Sequence, residues 1–288
     1  MVISSIINNL TRHTSKSLVF TVVFLLLSLY SFGYSLTDSI NSLSPKRNYF
    51  GSYLSDIGYL YTSPIRWKGK DWAKLGVLSG LGLAIYSADD NIQRSMAESK
   101  TQRSESLATV FEKFGNAGST SIGLGVAFIT GVIVKNEKTQ RISLLSLKSS
   151  LLSGLLAQTL KNIGHRSRPN AGLGKNSWHG PKIGGKHKAF PSGHTTTAFA
   201  IATTFAQIYK EKKWIVISAY SAAAITGISR VHDNKHWATD VFAGAALGYF
   251  SARAILKNEE RNRRSITLAP SSQYDSMGLT MFIPMNKK

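Results

Sequence analysis

From residue 72 to residue 256 the chain repeats one pattern. Apolar residues recur at three- and four-residue spacing, with Ser, Thr, Gly and Ala between them, and no stretch alternates apolar with polar residues. That spacing is one face of an α-helix, and without a period-two run there is nothing from which to build a sheet. Helices are predicted near 72–88, 104–115, 118–134, 141–161, 193–209, 214–229 and 236–256. The breaks at "FGNAGS" (114–119), "KNEKTQR" (135–141) and "YKEKKW" (209–214) carry the residues that favour caps and turns. The fold class expected is all-α, a helical bundle with about six core helices and a short non-helical C-terminal tail. The tail from 265 breaks the helical pattern and has the makings of a hairpin across "SSQYDS".

Residues 1–37 read as targeting. Arg12, His13 and Lys16 precede the apolar run "LVFTVVFLLLSLY" (18–30), and Gly33 and Ser35 offer a cleavage site, so a signal peptide and an uncleaved membrane anchor are both open. The organisation expected after it is an N-terminal extension with accessory helices over 38–117, a core over 118–256, and a basic linker and tail over 257–288. A membrane span needs about 20 predominantly apolar residues. Several of these helices are shorter and dotted with Ser and Thr, and the mean hydropathy is -0.06. A membrane-embedded bundle and an exported bundle at the membrane surface both remain open. Alternating crossings from 118 onward would put the basic loops at 135–141, 209–213 and 257–264 on one side, as the positive-inside rule prefers. Residues 161–193 and 230–236 would then share the other side.

Charge narrows the partners. Thirty-five Lys and Arg against fifteen Asp and Glu give a net +20, so the chain suits anions: nucleic acid, anionic lipid or phosphorylated substrates. With no cysteine, disulfides, zinc-thiolate sites and cysteine nucleophiles are excluded. The stretch "SRVHDNKHWATD" (229–240) would place His232, His236 and Asp240 at i, i+4 and i+8 of a helix, a spacing that can hold zinc. Its surroundings oppose that. Residues 161–188 hold seven Lys and Arg and no carboxylate, and Arg230 precedes the histidines, so a divalent cation is repelled where a phosphate is gathered. The loop 166–192, rich in Gly, Pro and Lys, is too long for a simple connector. At its two ends "KNIGHRSRP" supplies Lys161, Arg168 and Pro169, and "FPSGH" sets Pro191, Ser192, Gly193 and His194 at a helix start, where free N–H groups favour an anion.

Taken in order, Lys-x6-Arg-Pro, Pro-Ser-Gly-His and Ser-Arg-x5-His-x3-Asp resemble the signature of the type 2 phosphatidic acid phosphatase superfamily, which includes bacterial acid phosphatases and vanadium haloperoxidases. Lys161, Arg168, Pro169, Pro191, Ser192, Gly193, His194, Ser229, Arg230, His236 and Asp240 match it over about 118–256. The resemblance implies a bundle of that superfamily's type and a phosphatase without metal or other cofactor. His236 would attack phosphorus, Asp240 would hold its imidazole in the productive tautomer, and His194 would protonate the leaving oxygen and then deprotonate water. Lys161, Arg168, Arg230, Ser192 and the Gly193 N–H would bind the phosphate oxygens.

Outside the signature, Asp233 is expected to cap the helix carrying His236. His232 is open between pocket lining and a satisfied surface histidine. His165, His179 and His187 lie in or beside the basic loop, and Lys175, Trp178 and His179 are candidate substrate contacts. The function expected is hydrolysis of a phosphomonoester or diphosphate of a membrane lipid: phosphatidate, isoprenyl diphosphate, phosphatidylglycerol phosphate or lipid A. The expected location is the bacterial cell envelope, membrane-associated or periplasmic, with the site facing the periplasm. Competing readings are a soluble periplasmic acid phosphatase, a haloperoxidase and an inactive anionic-lipid binder. No nucleic acid is expected as partner, since no recognition module is visible.

Overall fold

The computed structural model describes residues 51–263, 267–273 and 276–282. The apolar run at 18–30 and the cleavage site read beside it lie outside the described residues. Eight α-helices follow in order: α1 (Gly51–Tyr61), α2 (Gly69–Glu98), α3 (Gln102–Gly115), α4 (Ala117–Ile133), α5 (Glu137–Gly164), α6 (Gly193–Ile208), α7 (Lys213–His232) and α8 (Ala238–Arg263). Two strands, β1 (Thr267–Gln273) and β2 (Ser276–Phe282), pair antiparallel from Thr267 opposite Phe282 to Gln273 opposite Ser276. This is the hairpin expected in the tail.

The helix breaks have local causes. Thr101 and Ser104 form a reciprocal capping box at the start of α3. Asn116 accepts the Ser119 amide at 3.1 Å and Asn136 the Thr139 amide at 2.9 Å, each asparagine capping the helix that follows. α3 and α4 bend by 64° at Asn116. α2 runs ten residues beyond its predicted end at 88, through the polar "ADDNIQRSMAE", because tertiary partners take its polar groups. Asp89 is fully buried against α8, and the Gln93 amide donates to Val231 O at 3.2 Å.

α6 is the central helix, in contact with α5, α7 and α8. Its buried residues are all small, from Thr195 through Ala198 and Thr203 to Ala206. Several hydroxyls return to their own helix, as Thr196 Oγ1 does to Ser192 O at 2.8 Å and Thr204 Oγ1 to Ala200 O at 3.0 Å, so the polar atoms bury satisfied. α8 meets this face through glycines. A Cβ on Gly248 would lie 2.3 Å from Thr196 O and 3.0 Å from Ala200 N, both backbone atoms that cannot yield without moving a helix. A Gly248→Ala variant is therefore expected to lose about 1–3 kcal/mol of stability through overpacking, read as a lower denaturation midpoint in detergent.

Large apolar residues lie on the outside: Val77, Leu81 and Leu83 on α2, Ile122 and Ile129 on α4, Ile217 and Ile228 on α7. By length and composition α7 can cross a membrane, and the bent pair α3 and α4 together pass the same test. Two buried ionic clusters tie the helices together. Lys148 of α5 pairs with Asp56 of α1 and, at 3.4 Å, with Glu259 of α8. Arg166, just past α5, joins Asp89 of α2 to Asp240 of α8, each at 2.7 Å with all three side chains fully buried.

Candidate active site

The three sequence motifs meet at one end of the bundle, laced by backbone bonds. The Ala189 amide donates to Arg166 O at 3.0 Å, the Ser192 amide to Asp240 O at 2.9 Å, and the Asn170 amide to Asn234 O at 3.2 Å. Trp237, buried, adds an indole N–H to Ser167 O at 2.9 Å. The long loop is thereby fastened both to the start of α6 and to the α7–α8 turn.

His236 is buried in that turn, two residues before α8 begins. Its Nδ1 lies 2.8 Å from Ala189 O. A carbonyl only accepts, so this nitrogen carries the proton and Nε2 keeps the free lone pair. Burial holds the ring well below the usual histidine range, against the opposing pull of Asp240, which favours the neutral, nucleophilic form.

Asp240 stands 3.7 Å from the same Nδ1. Its closer partners are Arg166 at 2.7 Å and the Trp237 amide at 2.9 Å. The carboxylate thus sits three residues after the cap, in the first turn of α8, and satisfies one of that helix's unpaired N–H groups. Asp89 satisfies another, accepting the Thr239 amide at 3.0 Å and the Thr239 hydroxyl. The nearer orienting contact to His236 is therefore a main-chain carbonyl.

Lys161 and Arg168 bear electrostatically on this ring, and the start of α6 is bonded to Asp240 beside it. Lys161 donates to Lys188 O at 2.8 Å and Pro191 O at 2.6 Å, which leaves its third N–H for a ligand. Burial, ahead of repulsion from Arg168 and Lys188, lowers this ammonium to about 8, so it stays mostly charged at neutral pH. Arg168 has a buried Nε with no hydrogen-bond partner. Arg230, nearly fully buried, bonds Asp233 at 2.6 Å and Glu112 at 3.1 Å. The α6 N-terminus opens at Gly193, so its first-turn N–H groups have no acceptor within the helix. The Ser192 amide is already spent on Asp240 O, and its hydroxyl accepts from Thr195 Oγ1 at 2.9 Å. His194, in the first turn of α6, is held to about 4, first by burial and then by Arg230.

Several residues lie elsewhere than expected. Asp233 does not cap the helix after it: it ends α7 and bonds Arg230 and His232, because the turn at Asn234, which has a left-handed φ of 57°, separates it from α8. His232, His236 and Asp240 do not share a helix face, since the helix breaks between them. His232 is buried and satisfied by Ser104 Oγ at 2.9 Å and Asp233 at 3.3 Å. Lys175 pairs with Asp90 of α2 at 3.2 Å, and Trp178 packs edge-on against Phe190 at 5.4 Å between ring centroids. His179 stacks on His187 at 4.0 Å, both bonded to Ser167 Oγ. The contacts of these three candidates run to α2, to the end of α5 and to the loop itself. His165, at the end of α5, is buried and bonds Asn162 O and Gly184 O. Sequence reasoning missed Arg166, Asp89, Ala189 and Glu112. The one available signal was the scarcity of carboxylates, which makes each buried one worth pairing.

Beside the cradle a groove of about 2470 Å³ runs between α2, α5 and α8, reaching Tyr86, Trp178, Phe190 and Pro191 at the site end and Phe242 and Leu247 farther along.

Residues 143–264 match the family model of the PAP2 superfamily. The chain is 37% identical over 101 residues to the lipid A 1-phosphatase of Porphyromonas gingivalis, a stretch covering 32% of this chain and 23% of that one. It is 28% identical over 189 residues to phosphatidylglycerophosphatase B of Bacillus subtilis, covering 63% and 88%. A crystal structure of a transmembrane PAP2 type phosphatidylglycerolphosphate phosphatase from Bacillus subtilis aligns with a TM-score of 0.44 at 20% identity, over 74% of this chain and 94% of that one. The chain thus spans under a quarter of the first of these relatives and most of the second.

Proposed function

We propose, for a chain whose residues 143–264 are a PAP2 superfamily region, a phosphatase that removes phosphate from a phosphorylated lipid at the envelope membrane through a phosphohistidine intermediate. The observation that carries it is the ring of His236, neutral by burial and with Nε2 free, set among Lys161, Arg168, Arg230 and the start of α6. Nε2 attacks phosphorus as the bond to the leaving oxygen breaks. The electron pair leaves on that oxygen, which takes the proton of His194. Water then attacks the phosphohistidine, gives its proton back to His194, and releases phosphate and free His236. The three cations and the α6 N–H groups stabilise the charge on the transferring phosphoryl group. Asp240 and Ala189 O steady the nucleophile from its Nδ1 side.

A lipid substrate is favoured by the distribution of side chains. Threonines and alanines fill the buried face of the central α6, and large Ile, Leu and Val side chains stand exposed on α2, α4 and α7, an arrangement that suits helices packed in lipid. The groove beside the cradle offers an apolar chain a bed that begins next to Pro191. The names of the relatives, a lipid A phosphatase and a phosphatidylglycerophosphatase, suit the same class. The apolar run at 18–30 suits envelope delivery, with the site on the periplasmic side.

The test is phosphate release by the detergent-purified protein from lipid A, phosphatidylglycerol phosphate, phosphatidate, an isoprenyl diphosphate and a small aryl phosphate, with and without EDTA. Release that survives chelation and favours a lipid is expected. Preference for the aryl phosphate would make it a general acid phosphatase, and no release, or release lost to EDTA, would overturn the mechanism.

A further inference from the structure

Glu112 lies on α3, outside the matched region and outside every motif read from the sequence. Its Oε1 is 3.1 Å from Arg230 Nη1 and 3.7 Å from His194 Nε2. That histidine nitrogen is buried and has no hydrogen-bond partner. We infer that Glu112 is a positioning residue for the leaving-group step: its carboxylate, anchored on Arg230, faces the His194 imidazole, aims it at the departing oxygen and offsets part of the positive charge that opposes a protonated ring there.

The groups that bear electrostatically on His194 come from four elements: Glu112 from α3, Arg230 from α7, His236 from the α7–α8 turn and Lys161 from α5. Arg230, His236 and Lys161 disfavour a charged imidazole, and burial acts with them. Glu112 alone among them favours it. An acid that must hold its proton when the phosphorus–oxygen bond breaks needs such a counter-charge, and the incoming phosphate supplies only the rest. The placement is rigid. One turn beyond Glu112, a Cβ on Gly115 would lie 2.6 Å from His194 O and 2.8 Å from His194 Cβ, so the end of α3 touches the first turn of α6 at backbone distance. Because Glu112 acts through the acid, its effect depends on how much protonation the leaving group needs.

This inference rests on the proposed phosphatase activity, and wild-type turnover separates the two. The experiment compares full-length wild type with Glu112→Gln, which keeps an acceptor for Arg230 and removes only the charge. Phosphate release is followed from pH 3.5 to 9 on a phosphorylated lipid with an alkoxide leaving group and on p-nitrophenyl phosphate, whose leaving group needs little protonation. Activity that requires protonated His194 falls as pH rises through that group's titration. The variant should therefore lose activity at lower pH than wild type, its alkaline limb moved down by about one unit. At pH 8 the loss should be about tenfold larger for the lipid than for p-nitrophenyl phosphate. An unmoved limb, an equal loss on both substrates, or a gain in activity through a freed Arg230 would each overturn the role. If wild type releases no phosphate from either substrate, the phosphatase reading itself has failed.

Discussion

Replacing His236 with alanine is expected to lower phosphate release by about 10⁴-fold, with the protein still folded and still retaining the phosphate-binding cations. The reason is local. Its Nδ1 proton is committed to Ala189 O, so one ring nitrogen orients and the other attacks, and alanine removes both functions together. Neighbouring groups cannot substitute: His194 sits at the start of another helix with its Nε2 facing Glu112, and Asp240 is tied to Arg166 and the Trp237 amide. Single-turnover release from a phosphorylated lipid by wild type and variant, with a circular dichroism spectrum of each, checks this. A variant within tenfold of wild type would mean that the nucleophile is elsewhere.

The second large effect falls on stability. Arg166→Met should cost about 3–5 kcal/mol, because it leaves Asp89 and Asp240 facing each other, buried and without their shared cation. Methionine fills comparable space, so the loss is one of charge compensation and not of packing volume. Denaturant unfolding in detergent gives the number. A change under about 1 kcal/mol would mean that the buried cluster contributes little net stability. Activity should fall as well, since Asp240 lies in the first turn of α8, 3.7 Å from His236 Nδ1.

How much of this was legible follows from the range of each interaction. The helices were readable because periodicity and caps act over a few residues: "FGNAGS" and "KNEKTQR" break where Asn116 and Asn136 cap, and α6 begins at Gly193 as the "PSGH" stretch suggested. The cradle was readable as a set because its members sit in three short motifs. What escaped is what the bundle brings together over long separations. Arg166 meets Asp89 across 77 positions and Thr239 meets Asp89 across 150, so no local window contains them. The error over Asp233 has a different origin. A helix start was assumed at 236, whereas Asn234 turns the chain and the helix starts two residues later at Ala238, capped by Asp240, which leaves Asp233 to close the preceding one.

The ion cluster around Arg166 also bears on modularity. The stretch that carries the family likeness begins at residue 143, yet one of the two carboxylates that neutralise Arg166, and one of the caps on α8, come from Asp89. A cassette cut at the edge of that likeness would leave Arg166 with one of its two carboxylates, strip the Thr239 amide of its cap, and discard Glu112 along with them. Grafting this catalytic centre onto another scaffold therefore means carrying α2 and α3 with it: the heritable unit of sequence is smaller than the mechanical unit that lets it work.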